Sequence, residues 1–170
     1  MVRVLMVIAP EVFRDEEYDH PKQVLESRGA TVTTASTREG ACHGKLGMTA
    51  EATLALADAR AADFDAVVFV GGGGAEVFFD DPAAHALARE THALGRVVAA
   101  ICIAPSVLAR AGLLRDVRAT AFPSQHDDLV AHGALWSDGP VEIDGRIVTA
   151  NGPDAARDFG GAITDALALP

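Results

Sequence analysis

The chain has 170 residues, of which 49% are hydrophobic, enough to bury a sizeable core as one domain over residues 1–170. Fourteen basic residues against 24 acidic ones give a net charge of −10, which repels phosphate backbones and argues against nucleic acid as a partner. Cys42 and Cys102 are the only cysteines, too few for a disulfide framework, and the chain reads as a reduced cytoplasmic protein, although a single bridge stays open.

Residues 2–9 form an apolar run too short to span a bilayer and lacking a small-residue cleavage site; it is read as the first strand, and no membrane partner is expected. The loop that follows enters a helix whose start is rich in carboxylates, where the macrodipole favours them, and Gly29 is its expected stop. Residues 30–36 are β-branched and alternating, hence a second strand, and the glycine-punctuated stretch 37–48 is expected to be a loop or a small hairpin on the sheet's edge. A short helical turn is expected over 58–62. The strand 66–70 then closes on four glycines, Gly71 to Gly74, before a helix opened by Pro82 and stopped by Gly95. A fully apolar strand from Val97 and a helix ending at Gly112 come next. The final third predicts a short strand at 117–122, a helix at 123–132, two strands about the Asp144-Gly145 turn and a last helix ending at Leu169. Continuous apolar strands alternating with helices indicate a parallel sheet covered on both faces, with ligands bound beyond the carboxyl ends of the strands. The ends of the first strand, the glycine strand and the strand from Val97 share that edge.

Cys102 sits where the Val97 strand joins the next helix, with Ala100 and Ala104 as small residues on either side. A tight strand-to-helix turn would expose its sulfur at the helix's positive end, where a thiolate is stabilised. The competing reading is a buried cysteine packed as a small hydrophobe. The glycine run has no G-x-G-x-x-G spacing and no following Lys-Ser or Lys-Thr, which argues against nucleotide binding. Instead, an amide of Gly72 or Gly73 together with that of Ile103 can form an oxyanion hole, the alternative being a flexible turn. Glu11, Asp15, Glu16 and Glu17 leave the first strand at the same edge. A carboxyl buried beside sulfur would be protonated and able to relay a proton. The histidines show no metal-ligand spacing: His85 and His92 read as a helix-surface pair, and His126 lies either near the active edge or at a helix start.

These pieces together resemble the ThiJ/PfpI superfamily over nearly the whole chain. The motifs are Phe13-Arg14-Asp15-Glu16-Glu17 with Pro21, the glycine turn, Ala100-Ile101-Cys102-Ile103-Ala104-Pro105 with Leu108 and Gly112, and Thr149-Ala150-Asn151-Gly152-Pro153 before a helix reaching Phe159. The resemblance implies a flavodoxin-like three-layer sandwich with a mostly parallel central sheet, in its glutamine-amidotransferase-like variant. It implies Cys102 as the reactive cysteine, Glu17 as its partner, and the amides of Gly73 and Ile103 as the oxyanion positions. Asp15 falls in the acidic motif without an assigned role. The family implies no cofactor, no metal, and a homodimer or higher homo-oligomer. Its members include glyoxalases or deglycases of α-oxoaldehyde adducts, isocyanide hydratases and other hydrolases, protease-like proteins and oxidation-sensing stress proteins. Two departures stand out. Ile103 replaces the histidine that follows the cysteine in protease-like members, and Phe122 replaces a histidine of several glyoxalase-type members. Without those imidazoles, Cys102 is expected to work with a carboxylic acid on a small-molecule electrophile, and a peptidase is the weaker reading. Glu76 loosely matches an acid of the protease-like group and is expected to be a surface charge.

Overall fold

The computed structural model describes residues 1–170. In chain order the strands are β1 (Arg3–Val7), β2 (Glu11–Phe13), β3 (Thr31–Ser36), β4 (Gly40–Gly44), β5 (Thr49–Ala52), β6 (Leu54–Ala55), β7 (Ala66–Phe69), β8 (Val97–Ile101), β9 (Arg118–Ala119), β10 (Leu135–Trp136), β11 (Val141–Asp144) and β12 (Ile147–Ala150). The α-helices are α1 (Asp15–Ser27), α2 (Pro82–Ala93), α3 (Pro105–Arg110), α4 (His126–Ala131) and α5 (Ala156–Ala166).

Seven strands form the central sheet in the order β11-β12-β8-β7-β1-β3-β6. Every pairing in it is parallel except the β11–β12 hairpin. Side chains alternate across β1: Leu5 and Val7 enter one apolar layer, Val4 and Met6 the other. Both faces are therefore dry, which is why β1, β7 and β8 are continuous apolar runs rather than alternating ones. Helices α2 and α3 cover one face, α1 and α5 the other. Gly160 lets α5 approach α1, since a Cβ there would stand 2.9 Å from the Pro21 Cα. No helix is long and apolar enough to cross a membrane.

Several regions differ from the sequence expectation, among them the strand expected over 117–122, which is only β9 and pairs with β10 outside the central sheet. The 37–48 stretch does not extend the central sheet: β4 pairs antiparallel with β5 and parallel with the short β2, making a separate three-stranded sheet. Strand β2, only three residues long, is too short to leave a periodic signal and brings this small sheet beside the end of β1. The last helix ends at Ala166 rather than Leu169.

Candidate active site

Strands β1, β7 and β8 deliver their carboxyl ends to one edge, and there the chain makes two unusual turns. At the end of β8, Cys102 adopts φ +64°, a left-handed conformation that costs a residue with a Cβ about 1–2 kcal/mol. Three hydrogen bonds hold it there: its amide donates to the Ala150 carbonyl at 2.9 Å, its carbonyl accepts from the Phe122 amide at 2.8 Å, and the Ala104 amide closes on the Ile101 carbonyl at 3.0 Å. Helix α3 begins directly after, with Pro105 in its first turn.

The second turn is the glycine run. The Gly71 carbonyl accepts from the Arg14 amide at 3.0 Å, tying the end of β7 to the start of α1. A Cβ on Gly71 would lie 2.5 Å from Glu17 Oε1 and 2.6 Å from the Cys102 Cβ, so only glycine fits between acid and thiol. Gly71→Ala is expected to destabilise the fold by about 2–3 kcal/mol through overpacking, read by chemical denaturation, and to displace Cys102 from Glu17. Gly72 has φ +95° and sits against the backbone of Val12 and Arg14, where a Cβ would collide. Its amide and that of Ile103 lie close enough to the Cys102 sulfur to favour its charged form. Gly73, one residue on, lines the cleft in front of the thiol.

Glu17 lies in the first turn of α1 and is 0% exposed. No group donates a hydrogen bond to either of its oxygens, and its approach to the Cys102 thiol lacks full hydrogen-bond geometry. Burial pushes this carboxyl up to about 8. Burial, reinforced by the Glu17 charge, pushes the Cys102 thiol up to about 12, against the pull of the Gly72 and Ile103 amides. The two groups titrate as a coupled pair.

Asp15 is buried but has a different task. Its carboxylate accepts from the Leu46 and Met48 amides, each at 2.9 Å, and packs on Gly44, so it clamps the β4–β5 turn to the start of α1. The Lys45 amide adds a bond to the Phe13 carbonyl at 2.8 Å. His126 stands apart: its ring contacts Trp136 edge-on at 4.8 Å and pairs with Asp127 at 2.8 Å.

In front of the thiol is a cavity of about 420 Å³, with Phe122, Gln125, Glu76, Arg14 and Lys45 among its walls. No histidine lines it. Exposed Glu76 stands at this cavity, so it is a surface charge as expected and also part of the cleft wall. Arg14 and Lys45 were not singled out in the sequence. The available signal was Lys45, one of only two lysines, lying in a turn between Gly44 and Gly47. Cys42 is 0% exposed, its sulfur directed at the Gly40 carbonyl, whereas Cys102 retains 9% exposure and opens on the cleft. Both thiols are free.

A mostly parallel α/β sandwich with a left-handed cysteine turn and a buried glutamate beside it defines the class of protein. The model of the DJ-1/PfpI family matches residues 2–166, and the chain belongs to that family. Among curated relatives, an uncharacterized protein of Methanocaldococcus jannaschii is 40% identical over 97% of this chain and 82% of its own length. A deglycase of Pyrococcus abyssi is 33% identical over 88% of this chain and 90% of its own. The crystal structure of a ThiJ/PfpI domain protein from Brachyspira murdochii superposes with a TM-score of 0.96 at 33% identity, covering 98% of this chain and 96% of that one.

Proposed function

We propose that this protein is a cysteine-dependent enzyme acting on small electrophiles, with glyoxalase- or deglycase-type chemistry on α-oxoaldehydes or their adducts. The observation that carries this reading is the juxtaposition of a thiol on a left-handed turn with a buried carboxyl that no group hydrogen-bonds. One negative charge shared by the pair is better held by sulfur, whose charged form the Gly72 and Ile103 amides favour, than by Glu17, whose oxygens accept from no donor. Glu17 therefore keeps the proton and Cys102 carries the charge.

With an α-oxoaldehyde in the cleft, the sulfur adds to the aldehyde carbon, the π electrons of the C=O bond move to oxygen, and Glu17 gives that oxygen its proton. The product is a hemithioacetal. The Ile103 amide and that of Gly73 hold the oxygen while its charge develops. The Glu17 carboxylate left behind then removes the C–H proton. It returns that proton to the neighbouring carbon as the hydroxyl proton shifts to the neighbouring oxygen, leaving a thioester. Water cleaves the thioester's S–C bond and gives its proton to Glu17, restoring the starting pair and releasing a 2-hydroxy acid. The sum is the aldehyde plus water, without an external oxidant or reductant. The likeness to a relative named deglycase supports the same reading, and the absence of a histidine from the cleft walls argues against a Cys–His peptidase. The test is methylglyoxal turnover measured against a no-enzyme control; turnover no faster than that control overturns the reading for this substrate.

A further inference from the structure

The chain carries ten more acidic than basic residues, yet the charged walls of the Cys102 cleft are two cations, Arg14 and Lys45, against one acid, Glu76. Apart from Glu76, the neighbouring carboxylates are already committed. Glu16 binds Arg14 Nε and Nη2, at 3.2 and 2.9 Å, which leaves Nη1 without a partner. Asp15 is occupied by the Leu46 and Met48 amides, and Glu11 pairs with His43 at 2.9 Å. Glu17 is buried and holds a proton at neutral pH. The Lys45 ammonium makes no ion pair.

Both cations are also held at their backbones. The Arg14 amide is bonded to the Gly71 carbonyl, on the turn that touches Cys102, and Lys45 sits in the turn clamped by Asp15 and Phe13. Arg14 lies close enough to Cys102 and Glu17 for its charge to act on both. A guanidinium edge and an ammonium at one mouth, in a chain of opposite net charge, form a local seat for a planar anion.

We propose that the Cys102 cleft selects electrophiles that carry a carboxylate, seated by Arg14 Nη1 and Lys45 Nζ while the reacting carbon meets the sulfur. Among α-oxoaldehyde substrates this favours one whose chain carries a carboxylate beyond the two carbonyls, and adducts on free amino acids, over the neutral methylglyoxal. The inference rests on the proposed reactive thiol but is readable without turnover.

The test is alkylation of Cys102 by iodoacetate and by iodoacetamide, reagents that differ in a carboxylate against an amide, with the labelled cysteine located by peptide mass. Relative to 2-mercaptoethanol, the acetate-to-acetamide rate ratio is expected to be raised about fivefold at low salt, and to fall as salt screens the site. It is expected to drop towards the reference value in Lys45→Gln and further when Arg14→Gln is added. The iodoacetamide rate in the same samples reports whether each variant keeps its site, and Lys45→Gln, at an exposed turn, keeps the test decisive if the Arg14 variant misfolds. A wild-type ratio equal to the reference, or one unchanged by Lys45→Gln, overturns the inference, as does a Cys102 that neither reagent reaches. Failure of the proposed chemistry looks different: no turnover of methylglyoxal or of a carboxylate-bearing α-oxoaldehyde, with the alkylation ratio still raised.

Discussion

Replacing Cys102 with serine is expected to reduce methylglyoxal turnover to the rate of the uncatalysed control, a loss of at least about 10³-fold. The reason is specific to this site. In the proposed pair the sulfur's charge is supported by the nearby Gly72 and Ile103 amides, against the upward push of burial, whereas a serine hydroxyl in the same place has no imidazole to remove its proton. Serine should keep the fold, since the left-handed turn is held by backbone bonds to Ala150 and Phe122 rather than by sulfur. Cys42→Ser is the matching control. Its sulfur is sealed in the core, so the variant should retain turnover while losing a little stability. Activity persisting in Cys102→Ser would assign the chemistry elsewhere.

Glu17→Gln is expected to lower kcat by about 10²–10⁴-fold, the usual contribution of a positioned acid and base, while raising stability. The sign follows from the carboxyl's environment. Unfolded, Glu17 titrates near its ordinary value of 4.5; folded, burial makes the Glu17–Cys102 pair keep that proton until about 8. The stability of the native state is therefore complete below the lower value and is lost as pH rises through the higher one, because between them the unfolded chain releases a proton that the folded protein keeps. At pH 7 the cost to the fold is about 3 kcal/mol, and Glu17→Gln removes it. Denaturation of both proteins across this range should show the variant's advantage growing from pH 4.5 to about 8 and then levelling. Equal stability throughout would mean that Glu17 ionises freely in the folded state. A residue that costs the fold this much is retained for what it does, and the Cys102 sulfur lies next to it.

The elements legible in the sequence were those whose burial repeats along the chain. Strands β1, β7 and β8 are dry on both faces and so are written as unbroken apolar runs, and the Pro82 and Gly95 punctuation marked α2 within a residue or so of its ends. Cys102 and the glycines were legible because tight turns demand small residues, whereas Glu17 was separated from Glu11, Asp15 and Glu16 only by the family resemblance, through its spacing to Pro21. Of the small sheet, the β4–β5 hairpin was legible as one alternative from its glycines, but β2 and the separation from the central sheet were not, since the strands are short and only half buried. Lys45 was hidden for the same reason: its place beside Cys102 depends on the Asp15 clamp, a contact across 31 residues of chain to Leu46 that leaves no periodic trace. Arg14 carried no signal of its own in the sequence; its place at the cleft follows from the bond of its amide to the Gly71 carbonyl.

The central claim is that Glu17 holds the pair's proton and Cys102 its charge. Far-ultraviolet thiolate absorbance, titrated with pH and corrected with the Cys102→Ser protein, tests it directly. The account predicts that thiolate appears as pH rises to about 8, when the coupled pair gives up its first proton. Thiolate absent until about pH 12 would contradict it, placing that first charge on Glu17 and leaving the sulfur protonated.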